Sequence, residues 1–416
     1  MQRVLNFLRS PFGLIGLVAF VDALGFAITV PVFPLYAKEL LGASPAEITG
    51  VQAAYFFMSF LMGPLLGRLS DRFGRRPILI ISQLGSLLSY VVIAFAPNIW
   101  IVYVARMLDG ITAGNFSTAQ AYISDITEPG QRVSRLGMTA LAFSLGLAIG
   151  PALGGIVASA LGPRAAYACG ALIATITITL TALRLKESLT AERRSQAAAH
   201  PAARSNGSTG ELVRLRGVLP LLVIAFFAQF AFFCFQTVFV LWSQAVVFPG
   251  QPTADVSRLV SYVLALMGLV GIVVQLRMLG PLVRRFGERR LLVIGLVSRA
   301  CFCGLLLAAP FAWMLPTAAP LLAFGSGVLL PSLAALQTYA APARRGQILG
   351  LNQSAASLGS VLGPLVGGQL FERVTPSAPI GAALGLTLVA LIVALLLQRT
   401  TLGAARPTTP PPSPAH

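Results

Sequence analysis

Gly67-Arg-Leu-Ser-Asp71-Arg72-Phe-Gly74-Arg75-Arg76-Pro77 decides the fold of this chain, because it occurs twice. A second form, Gly280-Pro-Leu-Val-Arg-Arg-Phe-Gly-Glu-Arg289, begins 213 residues after the first. Gly150-Pro-Ala-Leu-Gly-Gly155 recurs as Gly363-Pro-Leu-Val-Gly-Gly368, again 213 residues later. Two unrelated motifs sharing one spacing mark an internal duplication. Both basic stretches are short and lie between long apolar runs, so each reads as a loop joining two membrane spans.

The composition agrees. Of the 416 residues, 56% are hydrophobic and 10% charged, and the mean hydropathy is +0.81. A water-soluble domain is about 25% charged, so a soluble globular enzyme is excluded. Disorder is excluded by the wealth of Leu, Ile, Val and Phe. A span needs about 20 apolar residues. Such stretches stand near 12–36, 47–67, 77–96, 99–122, 134–160, 164–184, 217–243, 257–279, 290–310, 313–338, 347–371 and 378–397. We therefore expect an all-α membrane protein of twelve transmembrane helices in two pseudo-symmetric bundles. Six helices fall within 1–184 and six within 217–399, with a polar linker over 185–216 and a disordered tail over 400–416. Arg3 and Arg9 precede a first span longer than the core of a cleaved signal peptide, so it is expected to be retained.

The net charge of +17 reads as a topology signal rather than a nucleic-acid surface. Lys38, Arg164, Arg258 and Arg373 alone fall in the loops of one side, and Arg106 and Arg299 fall within spans. The other basic residues lie on the opposite side, which places both termini in the cytoplasm by the positive-inside rule. Cys169, Cys234, Cys301 and Cys303 sit in apolar runs and read as small core hydrophobes. His200 and His416 lie outside the spans, and no Walker A sequence occurs. No enzyme activity, metal or cofactor is expected.

The informative residues are the polar ones inside spans. Asp22 lies about ten residues into the first span, about 15 Å deep in a core about 30 Å thick. An ionised carboxylate there costs several kcal/mol unless paired, so it must take up a proton or find a cation. Arg106 is similarly deep in the fourth span, with Asp109 on the same face three residues on. Two acids and one arginine make a proton site. Asp22 is the preferred carrier with Arg106 tuning it, and Asp109 is a second carrier or a fixed partner of Arg106. A purely structural ion pair is the alternative. Arg299 has no acid in any second-half span; it suits an anionic group on a substrate, or backbone carbonyls.

Gln229, Phe233 and Gln236 lie in a phenylalanine-rich seventh span, the two glutamines on one face. With Gln52, Asn115, Gln120, Gln337, Asn352 and Gln353 they are candidates to line an amphipathic cavity. Gly146, Gly150 and Gly154, and again Gly359, Gly363 and Gly367, recur every four residues as bare faces for close helix approach. Duplicated halves of this kind are the mark of secondary transporters, whose site lies between the repeats.

These motifs carry a family resemblance. The 67–77 loop resembles the signature between the second and third spans of the major facilitator superfamily. Gly146-Leu-Ala-Ile-Gly150-Pro151-Ala-Leu-Gly154-Gly155 resembles the antiporter motif of its twelve-span drug:proton antiporters. Arg106-Met-Leu-Asp109-Gly110-Ile-Thr-Ala-Gly114 resembles the fourth-span arginine motif, with Asp109 where Gln is commoner. Asp22-Ala-Leu-Gly25 with Pro31 and Pro34, and Ala-Tyr122-Ile-Ser-Asp125, resemble the tetracycline-exporter branch.

The resemblance implies the major facilitator fold. It implies export of small amphipathic organic molecules, of the drug or antibiotic class, in exchange for protons by alternating access in a bacterial cytoplasmic membrane. A proton-coupled nutrient or metabolite transporter of the same fold is the alternative. It implies that Asp71 meets the N-terminal end of the eleventh span near Gly346 and that Arg75 pairs with Asp125. The cluster Gly67, Asp71, Arg72, Gly74, Arg75, Arg76 and Asp125 would then latch the halves when the transporter faces outward. Arg284 takes the place of Asp71 in the second copy, so the latch is one-sided. Gly146, Gly150, Pro151, Gly154 and Gly155 would seal the route between the halves. The branch leads us to expect an acid near Arg299, and this chain departs from it there. The expected partners are a small-molecule substrate, protons and the lipid bilayer, with no nucleic acid, for a chain acting as a monomer.

Overall fold

The structure is a computed structural model that describes residues 10–128, 131–189, 215, 217–341 and 344–399. The first half contains α1 (Pro11–Thr29), α2 (Phe33–Leu41), α3 (Pro45–Phe73), α4 (Arg75–Ala94), α5 (Ile99–Ile111), α6 (Asn115–Ile126), α7 (Arg132–Leu161) and α8 (Pro163–Arg184). The second contains α9 (Val218–Gln236), α10 (Phe239–Trp242), α11 (Thr253–Val273), α12 (Leu279–Ala308), α13 (Met314–Ala340), α14 (Arg345–Arg373) and α15 (Ala378–Arg399). Wider π-turns follow α10 at Ser243–Val247 and α11 at Val274–Met278.

Local sequence sets the rod ends. Ser10 caps α1 through its hydroxyl, which accepts from the Gly13 N–H at 3.1 Å, with a proline at the start of the helix. Ser44 and Glu47 form a reciprocal capping box at the start of α3. Gly74 joins α3 to α4 at φ 109° and ψ 161°. Its repeat partner Gly287 holds φ 72° and ψ 161° within α12. Only glycine adopts these angles without strain, so the duplicated loop makes the same bend twice.

Nine helical stretches among the described residues are long and apolar enough to cross a membrane. One, Thr253–Ala308, runs through the expected eighth and ninth spans, and Gly287 divides it. Counting each interrupted rod once, the helices follow the order of the twelve expected spans. Three rods that the hydropathy reading took as continuous are broken. The first is interrupted around Pro31, the fourth at Thr112-Ala113-Gly114 and the seventh at Thr237-Val238. Leu61, Trp100, Val104, Leu183 and Ile392 are exposed, an apolar outer surface suited to lipid rather than water.

The pseudo-symmetry is visible in the packing. α1 lies on α7 as α9 lies on α14, and the halves meet through α7 with α11 and α3 with α14. A single buried cluster joins the halves at one end, running from Phe33, Tyr36 and Ile48 to Phe239, Trp242, Val256 and Val260. Toward the end carrying loop 67–77 the core is divided. Ile15, Val18, Leu79 and Tyr122 belong to a first-half cluster, and Ile224, Leu292, Leu296 and Leu333 to a separate second-half one. The halves are thus joined at one end and parted at the other.

The start of the expected linker is not free. Leu185 and Leu189 are buried, and the Tyr122 hydroxyl donates to the Lys186 carbonyl at 2.8 Å. Residues 190–214 and 216 of the linker, and the tail 400–416, lie outside the described residues.

Candidate functional site

Asp22 lies on α1, partly exposed, and its Oδ1 accepts a hydrogen bond from Asn115 Nδ2 at 2.8 Å. The break in the fourth rod makes this contact possible, because Asn115 is the first residue of α6. Arg106 and Asp109 stay on α5 and are 3% and 4% exposed. Arg106 Nη1 donates to Asp109 Oδ2 at 3.2 Å, and the second carboxylate oxygen accepts from the Ser86 hydroxyl at 2.8 Å. Arg106 also lies 3.5 Å from Thr29 Oγ1 and 6.0 Å from the Phe33 ring centroid. The expected group of two acids and one arginine therefore resolves into a closed ion pair and a separate acid held by an amide. Arg106 is committed to Asp109 and not bonded to Asp22.

A second charged cluster stands at the parted end. Arg75, whose side chain is 10% exposed, bridges Asp71 Oδ1 at 2.5 Å and Asp125 Oδ2 at 2.9 Å. Its Nη1 also donates to Ser70 Oγ at 3.1 Å. Glu187 accepts from the backbone N–H groups of Arg75 at 2.9 Å and Arg76 at 3.1 Å, where orphan donors at a helix start favour an anion. Arg76 reaches the Ala182 carbonyl at 2.5 Å. Gly74 is buried, whereas Gly67 and Arg72 are exposed. The Arg75–Asp125 pair stands as expected. The expected contact of Asp71 with the eleventh span belongs to the outward-facing state; here the Asp71 side chain is 61% exposed and bonded to Arg75. Among the described residues no buried cluster spans both halves at this end.

The glycine rows pack inside their own halves. A Cβ on Gly146 would lie 2.8 Å from Ala23 Cβ, and one on Gly150 3.0 Å from the Leu24 carbonyl oxygen. One on Gly154 would lie 2.8 Å from the Ile28 carbonyl carbon. Gly359 and Gly363 meet α9 in the same way, at 2.6 Å from Phe226 O and 2.7 Å from Phe233 Cβ. Pro151 lies inside α7. Within the antiporter-like motif Ala148 and Gly155 face α11 of the other half: a Cβ on Gly268 would lie 2.5 Å from Ala148 Cβ, and one on Gly155 2.5 Å from Ser261 Cβ. Gly146, Gly150 and Gly154 thus hold α7 against α1, while Ala148 and Gly155 lie at the interface between the halves.

The remaining candidates are spread along the interface. Phe233 packs edge-on against Phe56 of the other half, centroids 4.5 Å apart. Gln52, Gln120, Gln229 and Gln236 are partly exposed, with no side-chain hydrogen bond among the described residues. Gln337 is buried and donates to Asn352 Oδ1 at 2.8 Å, tying α13 to α14. Gln353 is exposed, 3.5 Å from Ser357 Oγ. Arg299 is 4% exposed; it donates to the Ala228 carbonyl at 2.8 Å and lies 5.5 Å from the Phe232 centroid. Ser86 and Glu187 were not legible as site residues: Ser86 sits in an apolar run, and Glu187 in a polar stretch that looked like linker. No group of metal-ligating side chains occurs among the described residues.

Comparison with known proteins agrees with this architecture. The family model described as Major Facilitator Superfamily matches residues 15–277 and 251–415. The "Tetracycline resistance protein, class C" of Escherichia coli is 32% identical over 350 residues, covering 83% of this chain and 85% of that protein. "Multidrug resistance protein 2" of Bacillus subtilis (strain 168) is 29% identical over 379 residues, covering 89% and 91%. Among solved structures, the human organic anion transporter MFSD10 (TETRAN) superposes with a TM-score of 0.67 at 22% identity, covering 92% of this chain and 98% of that one. A peptide transporter POT superposes at 0.74 with 15% identity, covering 93% of each chain. With its duplicated loop, its two joined bundles and these relatives, the chain belongs to the major facilitator superfamily.

Proposed function

We propose that this protein exports small amphipathic organic molecules of the drug class in exchange for protons, by alternating access between its two halves. The observation that carries the reading is Asp22, an acid at mid-span with no bonded cation among the described residues, held by one amide beside a closed Arg106–Asp109 pair. The names of the tetracycline and multidrug resistance relatives support the substrate class.

In this reading Asp22 takes up and releases the proton. Asn115 donates to the ionised carboxylate, and after rotation of its amide it can accept from the protonated one. Its Oδ1 is buried without a partner among the described residues, free for that exchange. Asp109 is the fixed partner of Arg106 rather than a second carrier, because Ser86 and Arg106 between them occupy both its oxygens. Gln52, Gln229, Gln236 and Phe233 face the substrate. Loop 67–77 latches the halves in the opposite state, when α14 comes within reach of Asp71. The termini lie in the cytoplasm of a bacterium, the 1–184 and 217–399 bundles move as two bodies, and a single chain suffices.

Dye and antibiotic uptake into everted vesicles, with the proton gradient present and then collapsed, tests the function. Loss of uptake on collapse is expected. Uptake that persists without ΔpH or membrane potential would overturn it. A nutrient importer would show the reverse behaviour, emptying rather than filling such vesicles.

A further inference from the structure

The geometry points to Glu372 as the clasp that holds the joined end shut. α3 begins Ser44-Pro45-Ala46-Glu47, and the first N–H groups of a helix have no partner inside it. Pro45 has no N–H, and Ser44 Oγ accepts from Glu47 N at 3.3 Å. Ala46 N–H is left over, and it donates to Glu372 Oε2, 3.0 Å away, at the far end of α14 in the other half. A carboxylate is favoured there by the helix dipole as well as by the hydrogen bond.

A second observation singles out the same place. Gly368 stands one turn before Glu372, and a Cβ there would lie 3.0 Å from Ala46 Cα. Any side chain at 368 would push the start of α3 away from the carboxylate. The contacts Lys38 Nζ to Gln244 Oε1 at 3.0 Å, and Thr253 to Glu39, close the same end between α2 and the α10–α11 segment. At the other interface the repeat position, 213 residues earlier, is Ser159, whose hydroxyl donates to Ile156 O within its own helix. The contact of a carboxylate with a backbone N–H at a helix start is therefore not repeated from Ser159, and between α3 and α14 it is made by Glu372. These are the two helices whose opposite ends hold Asp71 and the expected latch. The pair carries one carboxylate device at each end, working in alternation: Glu372 engaged here, Asp71 disengaged.

The inference rests on the alternating-access reading, and the test separates the two. Spin labels at the exposed positions Leu40 and Val374, in full-length protein whose native cysteines are replaced, report the width of this end in lipid nanodiscs. Two distance populations in the parent protein that respond to pH or substrate are expected; a single fixed distance would defeat the alternating-access reading itself. E372Q should raise the ratio of the wide to the narrow population roughly two- to five-fold. E372K should raise it further, and E372D should remain near the parent. D71N should shift the ratio the other way, and E372Q/D71N should return toward the parent value. Two responsive populations with an unchanged ratio in folded E372Q and E372K would overturn the clasp while leaving alternating access standing.

Discussion

Asn115 reaches Asp22 across 93 residues of chain, and it does so from the first turn of a helix created by a break in the fourth rod. Arg106, on the other side of that break, is held by Asp109. Asp22→Asn should therefore abolish proton-coupled export while leaving the Arg106–Asp109 pair and the fold in place. Substrate-induced proton release from vesicles checks this; full coupled transport would remove Asp22 from the mechanism.

Arg106 and Asp109 are closed on each other in a buried site, so removing one strands the other. Asp109→Ala should cost about 3–5 kcal/mol of stability. The double substitution R106Q/D109N should cost clearly less than the sum of the two single changes. Thermal unfolding in detergent gives the cycle. Additive losses would mean the two residues act independently.

Arg75 ties Asp71, Asp125 and Ser70 together. Arg75→Ala should lower stability by about 3 kcal/mol, since it takes the guanidinium away from the largely buried Asp125 carboxylate. Export should fall with it. Asp71→Asn, at an exposed position, should leave the melting temperature nearly unchanged and slow turnover. Equal effects on stability from both substitutions would contradict the arrangement.

Gly150 and Gly363 touch neighbouring backbone within their own halves, so Leu at either should separate α7 from α1 or α14 from α9. Overpacking of this kind costs about 1–3 kcal/mol or more, and export should be lost together with stability. Gly155→Leu acts on the interface between the halves instead. It should leave each half folded and bias the protein away from the state described above, seen as altered protease or label accessibility at the joined end.

Much of the architecture was legible because hydrocarbon leaves a chain little choice: long apolar runs had to be helices, and the 213-residue repeat required two similar halves. The loop around Gly74 was legible from its recurrence around Gly287, though not the bend the two glycines make. The break at Thr112-Ala113-Gly114 was not, since no proline marks it, and with it went the pairing of Asn115 to Asp22. The motif around Arg75 correctly anticipated Asp125. The latch expected of Asp71 belongs to the outward-facing state, and which end of the molecule is open is a property of conformation that no residue type encodes. Contacts such as Ala46 with Glu372, 326 residues apart, carry no local signal at all.

The continuous cluster that joins the halves at one end, against two separate clusters at the other, has a practical corollary. Turnover requires that shared apolar seam to be peeled apart and a matching one to form at the far mouth. A rigid, greasy wedge that fits between the parted bundles, yet is too broad to be swallowed, would arrest the cycle by preventing the new seam from forming. It would do so without competing for the acid at all.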